Sequence, residues 1–116
     1  MRIHTLAVGI VAALVLAASA SPVTLPRLTG TVGPSATISL KQGAKKVTSL
    51  KAGRYTFVIS DRATFHNFHL TGPGVNKSTT VGGTGNKTWT LTLKAGTYRY
   101  VCDPHAANMK GSFRVT

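Results

Sequence analysis

The chain has 116 residues, 42% of them hydrophobic, with one cysteine and a formal net charge of +12. That length supports one hydrophobic core and not two, and a single cysteine excludes an internal disulfide. The basic residues lack the interleaved aromatics that stacking on bases requires, which argues against nucleic acid as a partner.

The chain opens with MRIHT, which carries Arg2, followed by the uniformly apolar Leu6–Ala18 and the small-residue site Ala18-Ser19-Ala20. This is the three-part layout of a secretory signal peptide. The apolar run is shorter than the roughly 20 residues a spanning helix needs. There is no twin arginine and no cysteine after the run, so general secretion without lipid attachment is expected. Residues 1–20 are therefore expected to be removed, leaving a secreted or extracytoplasmic chain, in a periplasm or at a cell surface, that begins at Ser21. From that point thirteen basic residues face two acids, Asp61 and Asp103, for a net charge of +11. Such charge keeps a small domain monomeric and attracts acidic proteins or an anionic envelope surface.

Residues 21–35, SPVTLPRLTGTVGPS, contain three prolines and two glycines and read as a flexible leader or linker. The domain is expected over residues 36–116. Strands are expected at Ala36–Leu40, Val47–Lys51, Arg54–Ser60, Phe65–Leu70, Ser78–Val81, Thr88–Leu93, Thr97–Cys102 and Ser112–Thr116. Arg54–Ser60 puts Tyr55, Phe57 and Ile59 on one face, Thr88–Leu93 does the same for Trp89, Leu91 and Leu93, and Thr97–Cys102 for Tyr98, Tyr100 and Cys102. The charged run KQGAKK reads as a solvated hairpin. The phrases LKAGRYTF and LKAGTYRY read as one turn used twice. Short strands at this spacing, with no helical period before Asp103, predict an all-β fold: an antiparallel Greek-key β-sandwich of seven to eight strands.

The stretch CDPHAANMKG, residues 102–111, gathers the lone Cys102 with His105 and Met109. Cys102 points inward at the end of its strand, and the other two lie in the loop that follows. Soft and borderline donors at one place suit copper or zinc. An electron-transfer copper site takes two His and one Cys in a trigonal set with a weak axial Met. The second histidine must then be His66 or His69, in FHNFHLTGPG. Three positions apart on a strand, they fall on opposite faces. His66 shares its face with Phe68 and Leu70, which makes it the better source of a ligand, and His69 reads as an exposed strand histidine.

Taken together, the dipeptide His66-Asn67, the approach KAGTYRYVC, Cys-x-Pro-His at 102–105 and Met-x-Gly at 109–111 resemble the cupredoxins, the small blue copper proteins of the plastocyanin kind. The resemblance covers residues 36–116. It implies His66, Cys102, His105 and Met109 as ligands of one copper per chain. It also implies that Asn67 ties the two ligand loops together and points toward the Cys sulfur. Plastocyanin-like loops usually hold four residues between His and Met, whereas here there are three, Ala106, Ala107 and Asn108; the Met distance does not carry over. The resemblance implies an electron carrier; the signal-like N-terminus makes it an exported one, and the positive charge makes an acidic redox partner the expected one. An enzyme is not expected, because three histidines beyond residue 20 leave no second copper site and two acids leave no Ser-His-Asp set. A copper-handling envelope protein and a metal-free adhesion sandwich are the alternatives.

Overall fold

Alternating burial marks the strands. In β5 (Gly53–Asp61), Tyr55, Phe57 and Ile59 are buried and Thr56 and Val58 half-buried. In β9 (Gly96–Val101), Tyr98 and Tyr100 are buried beside exposed Thr97 and Arg99. This is the period of a sheet with one face on a core. The other strands are β1 (Arg27–Val32), β2 (Ile38–Gln42), β3 (Lys45–Lys46), β4 (Ser49–Leu50), β6 (His69–Gly72), β7 (Val75–Ser78), β8 (Gly85–Leu93) and β10 (Lys110–Val115). The computed structural model describes residues 7–14 and 22–116. The expected cleavage site, residues 18–20, lies outside the described residues. No helix among the described residues is long and apolar enough to cross a membrane.

The strands form two five-stranded sheets, in the orders β3-β2-β1-β5-β8 and β4-β10-β9-β6-β7. Leu28, Val32, Leu40, Phe57 and Ile59 of the first sheet meet Leu70, Tyr98, Tyr100, Phe113 and Val115 of the second, all of them buried. Removing each large apolar side chain from water stabilises the fold by about 1.5–3 kcal/mol. Phe68 stacks on Tyr100 at 5.4 Å between ring centroids, and Tyr98 on Phe113 at 5.3 Å. The two LKAG phrases do make one turn twice. The Tyr55 hydroxyl donates to the Lys51 carbonyl at 2.7 Å, and the Tyr98 hydroxyl to the Lys94 carbonyl at 2.9 Å, each four residues back.

Several expectations are corrected. First, the leader over residues 21–35 is not free chain throughout, since Arg27–Val32 is a central strand. It pairs antiparallel with β2 and parallel with β5. Its Gly30, which read as a linker signal, lies where a Cβ would come within 2.6 Å of Ile59 and 3.0 Å of Phe68. The glycine is there for close packing. Second, the sheets are mixed, because β10 also runs parallel to β4. The described residues hold ten strands, not seven to eight, two of them only two residues long. Third, the strand expected at Phe65–Leu70 begins at His69. His66, Asn67 and Phe68 precede it, all buried, so face alternation does not apply to them. Likewise the strand expected at Ser78–Val81 runs instead over Val75–Ser78.

Candidate metal centre

Strands β9 and β10 are hydrogen-bonded neighbours, and the chain between them makes a compact loop. Cys102 follows β9, and a single 3-10 turn, Asp103–His105, begins there with Pro104 in its first turn, where a missing N–H costs nothing. His105 N–H donates to the Cys102 carbonyl at 2.9 Å, and both Asn108 N–H and Met109 N–H reach the His105 carbonyl, at 3.0 and 2.8 Å. The Cys102 N–H closes the loop on the Met109 carbonyl at 3.0 Å. Cys102 and Met109 are buried, while Asp103 to Asn108 are exposed.

His66 arrives from the segment between β5 and β6. Buried Asp61 organises that segment. One carboxylate oxygen accepts from the Ala63 N–H at 3.3 Å, and the other accepts from the Thr79 hydroxyl at 3.1 Å. The same hydroxyl accepts from the Phe68 N–H at 2.9 Å. Gly33, at φ +71°, lies against the ring; a Cβ there would stand 3.2 Å from His66 Cδ2 and 2.9 Å from the Ala63 side chain. A left-handed backbone and this close approach both favour glycine at that position.

These two segments bring three donor atoms together. His66 Nδ1 lies 3.1 Å from His105 Nδ1, Cys102 Sγ lies 3.5 Å from His66 Nδ1, and Cys102 Sγ lies 3.6 Å from His105 Nδ1. A point at the centre of that triangle is about 2 Å from each corner, close to a metal–imidazole bond and slightly inside the metal–thiolate length. His66 Nε2 is buried with no hydrogen-bond partner, so the ring's polar engagement is through Nδ1 alone. Three electron-pair donors converging on one point repel unless they share a proton or a cation. The residues present therefore fit a metal ion, and the donor set of two imidazoles and one thiolate is that of an electron-transfer copper site. His66, Cys102 and His105 are the only such donor group among the described residues.

Around the triangle, Asn67 ties the two segments together. Its side-chain oxygen accepts from the Asp103 N–H at 2.8 Å, and its amide donates to the Asp103 carboxylate at 2.7 Å. It reaches Asp103, where the resemblance implied an approach to the Cys102 sulfur. His69 faces the same carboxylate at 2.9 Å through Nδ1, and Asn76 Oδ1 at 2.7 Å through Nε2. The hydrogen bond to Asp103 and then that to Asn76 push the His69 pKa up. Burial works to raise the Asp103 pKa, but the hydrogen bonds from Asn67 and His69 hold it below the usual carboxylate value.

The structure thus brings His66, Asn67, Cys102 and His105 to one place and buries Met109 in the same loop. His69 is not simply a solvated strand residue, since it pairs with the ligand loop. Sequence reasoning missed Asp61, Thr79 and Asp103. The signal available for Asp61 was an acid closing the apolar run FVISD; that for Asp103 was an acid placed directly after the lone cysteine.

The family described as copper binding proteins, plastocyanin/azurin family, matches residues 35–116. Among solved structures, reduced rusticyanin is similar at 19% identity over 78% of both chains, with a TM-score of 0.55. A second rusticyanin structure is similar at 17% identity over 78% of this chain and 76% of that one, with a TM-score of 0.56. The reduced protein solved by NMR gives 21% identity over the same shares and a TM-score of 0.54. At these identities the likeness shows the fold. No curated protein matches the sequence. The profile match over most of the chain, on a sandwich that gathers two imidazoles and a thiol, makes the chain a member of the plastocyanin/azurin family of copper-binding proteins, a cupredoxin.

Proposed function

We propose that the chain is an exported electron carrier, not an enzyme, in which His66, Cys102 and His105 would hold one copper and Met109 would add a weak thioether donor. The observation that carries this reading is the triangle of Nδ1, Nδ1 and Sγ at 3.1, 3.5 and 3.6 Å. Copper in such a set supplies one-electron chemistry.

The chain's own residues do the rest. His66 and Cys102 are buried and held from two different segments, so the donor triangle resists rearrangement. The Asp61–Thr79–Phe68 hydrogen bonds fix the first segment, and Asn67 locks it to the second through Asp103. His105 is exposed, which makes its imidazole the surface outlet of the group. Met109 is buried and its backbone is bonded to His105 and Cys102, so the residue is held in the same loop as two of the donors. The net charge of +11 beyond residue 20 suits an acidic redox partner, and export follows the signal-like first 20 residues.

The test is titration with one equivalent of Cu(II), followed by absorbance. An intense thiolate-to-copper band that bleaches and returns over repeated reduction and oxidation is expected, and Cys102→Ser should remove the band completely. Copper uptake without redox cycling would favour a copper-handling protein. No band in the parent chain would sink the carrier reading, and no copper uptake at all would leave a metal-free sandwich.

A further inference from the structure

The outward-facing residues of β9 and β10 form a basic surface. Their register sets Thr97 beside Arg114, Arg99 beside Ser112 and Val101 beside Lys110. All but half-buried Val101 are exposed. Lys46 reaches the same surface from β3, and with Thr97, Arg99, Lys110, Gly111 and Ser112 it lines a cleft of about 430 Å³. No acid lines it. Asp61 is buried at the end of β5, and Asp103 is engaged by Asn67 and His69. The only ion pair among the described residues is His69–Asp103, so these cations are free to meet an external charge.

The placement matters as much as the charge. Val101 directly precedes Cys102 and Lys110 directly follows Met109, so both strands of this face run straight into the ligand loop. At a strand's rise, Arg99 is about 10 Å from Cys102 along β9. The outward residues of β1, β5 and β8 on the opposite sheet are mainly hydroxyls, such as Thr29, Thr31, Thr56, Thr88, Thr90 and Thr92, and they carry no comparable cluster beside the ligands. We propose that the cleft ringed by Lys46, Arg99 and Lys110 is the docking surface for a carboxylate-rich face of a redox partner protein. This rests on the electron-carrier reading for its purpose but not for its binding chemistry. Three cations from three strands, with the Thr97 and Ser112 hydroxyls between them, match clustered carboxylates in sign and in hydrogen-bond donors.

The test compares the full chain with two variants that each lose three positive charges. Lys46→Gln/Arg99→Gln/Lys110→Gln alters this face, and Arg27→Gln/Arg54→Gln/Lys87→Gln alters exposed cations of the first sheet away from β3, leaving in place Lys41, which pairs with Lys46. A short polyglutamate peptide is the binding probe, followed by amide chemical-shift mapping. Shifts should gather at residues 97–101 and 110–112, and binding should weaken about tenfold in the first variant and little in the second. A second readout is oxidation of the reduced, copper-loaded chain by hexacyanoferrate(III), which takes one electron from the site and becomes hexacyanoferrate(II). It should slow about tenfold at low salt in the first variant only. The difference should vanish near molar salt, where screening shortens to about 3 Å. Equal weakening in both variants, or shifts centred elsewhere, would overturn the proposal in favour of net charge alone. So would phosphatidylglycerol vesicles captured through these three residues by a chain that ignores the peptide, because the face would then serve a membrane. A parent chain without the thiolate-to-copper band would sink the carrier reading, while the peptide arm, which needs no metal, would still decide the docking surface.

Discussion

The two segments that carry the donors are built on opposite principles. Asp61 to Phe68 has little secondary structure of its own and is held by buried side chains: Asp61, Thr79, Asn67 and the seat made by Gly33. Cys102 to Met109 is held by four backbone hydrogen bonds within itself and is largely exposed. The first stores its geometry in the tertiary packing and the second in a local turn. Damage to the first should therefore loosen the whole domain, whereas changes in the second should tune the site and leave the fold intact.

The largest effect tests the first segment at its donor, His66, with neighbouring His69 of β6 as the control. His66→Ala should abolish the thiolate-to-copper band under the same copper load, and His69→Ala should keep it. The reverse result would mean that the donor triangle is not the metal centre. Next in size is Asp61→Ala, which leaves the Thr79 hydroxyl and the Ala63 N–H without their acceptor in a buried place. It should cost about 2–3 kcal/mol in denaturant unfolding, and a loss below the experimental scatter would show that the packing holds the segment without that network. Met109→Leu comes third. A buried thioether replaced by a side chain of similar volume should cost under about 1.5 kcal/mol, keep a coloured site and shift its reduction potential. An unchanged potential would remove Met109 from the metal.

The smallest effect is on pH and belongs to the clamp between the segments. The His69 pKa is raised in the fold, so its contribution is complete below the unfolded value of about 6.5 and fades as pH rises through the higher folded value. The Asp103 pKa is lowered, so its contribution is complete above about 3.9 and fades as pH falls through the lower folded value. The stability difference between the parent and His69→Ala should therefore be greatest between about pH 4 and 6.5. Both groups are partly exposed and screened, which limits the difference to roughly 0.5–1 kcal/mol. A difference that is flat from acid to alkali would show that the pair contributes through packing and not through charge.

Much of this was legible in the sequence where the information is local. The Cys102–Met109 spacing lies within one loop, so its donors are brought together by a turn that adjacent residues encode. The alternation in Arg54–Ser60 and Thr97–Cys102 reports directly on which side faces the core. The LKAG turns were visible as a repeat because each is closed by a hydroxyl only four residues from its acceptor. Face alternation and the His-Asn resemblance both favour His66, yet the residue sits in a buried non-strand segment where Asn67 and Phe68 are buried beside it, so alternation does not apply. There the resemblance to cupredoxins was the sounder guide.

The sequence by itself determined an all-β sandwich, a thiol placed beside an imidazole and a thioether, and a chain with far more positive than negative charge, because these depend on composition, period and short spacing. Only the tertiary structure decided that Arg27–Val32 is a central strand, since its parallel partner β5 is remote in the chain and Gly30 acquires meaning only against Ile59 and Phe68. The same holds for His69 and Asp103, 34 residues apart, and for the basic cleft, whose cations come from three strands of both sheets. Contacts of that kind depend on which strands become neighbours, and that follows from burying one shared core, not from any local pattern.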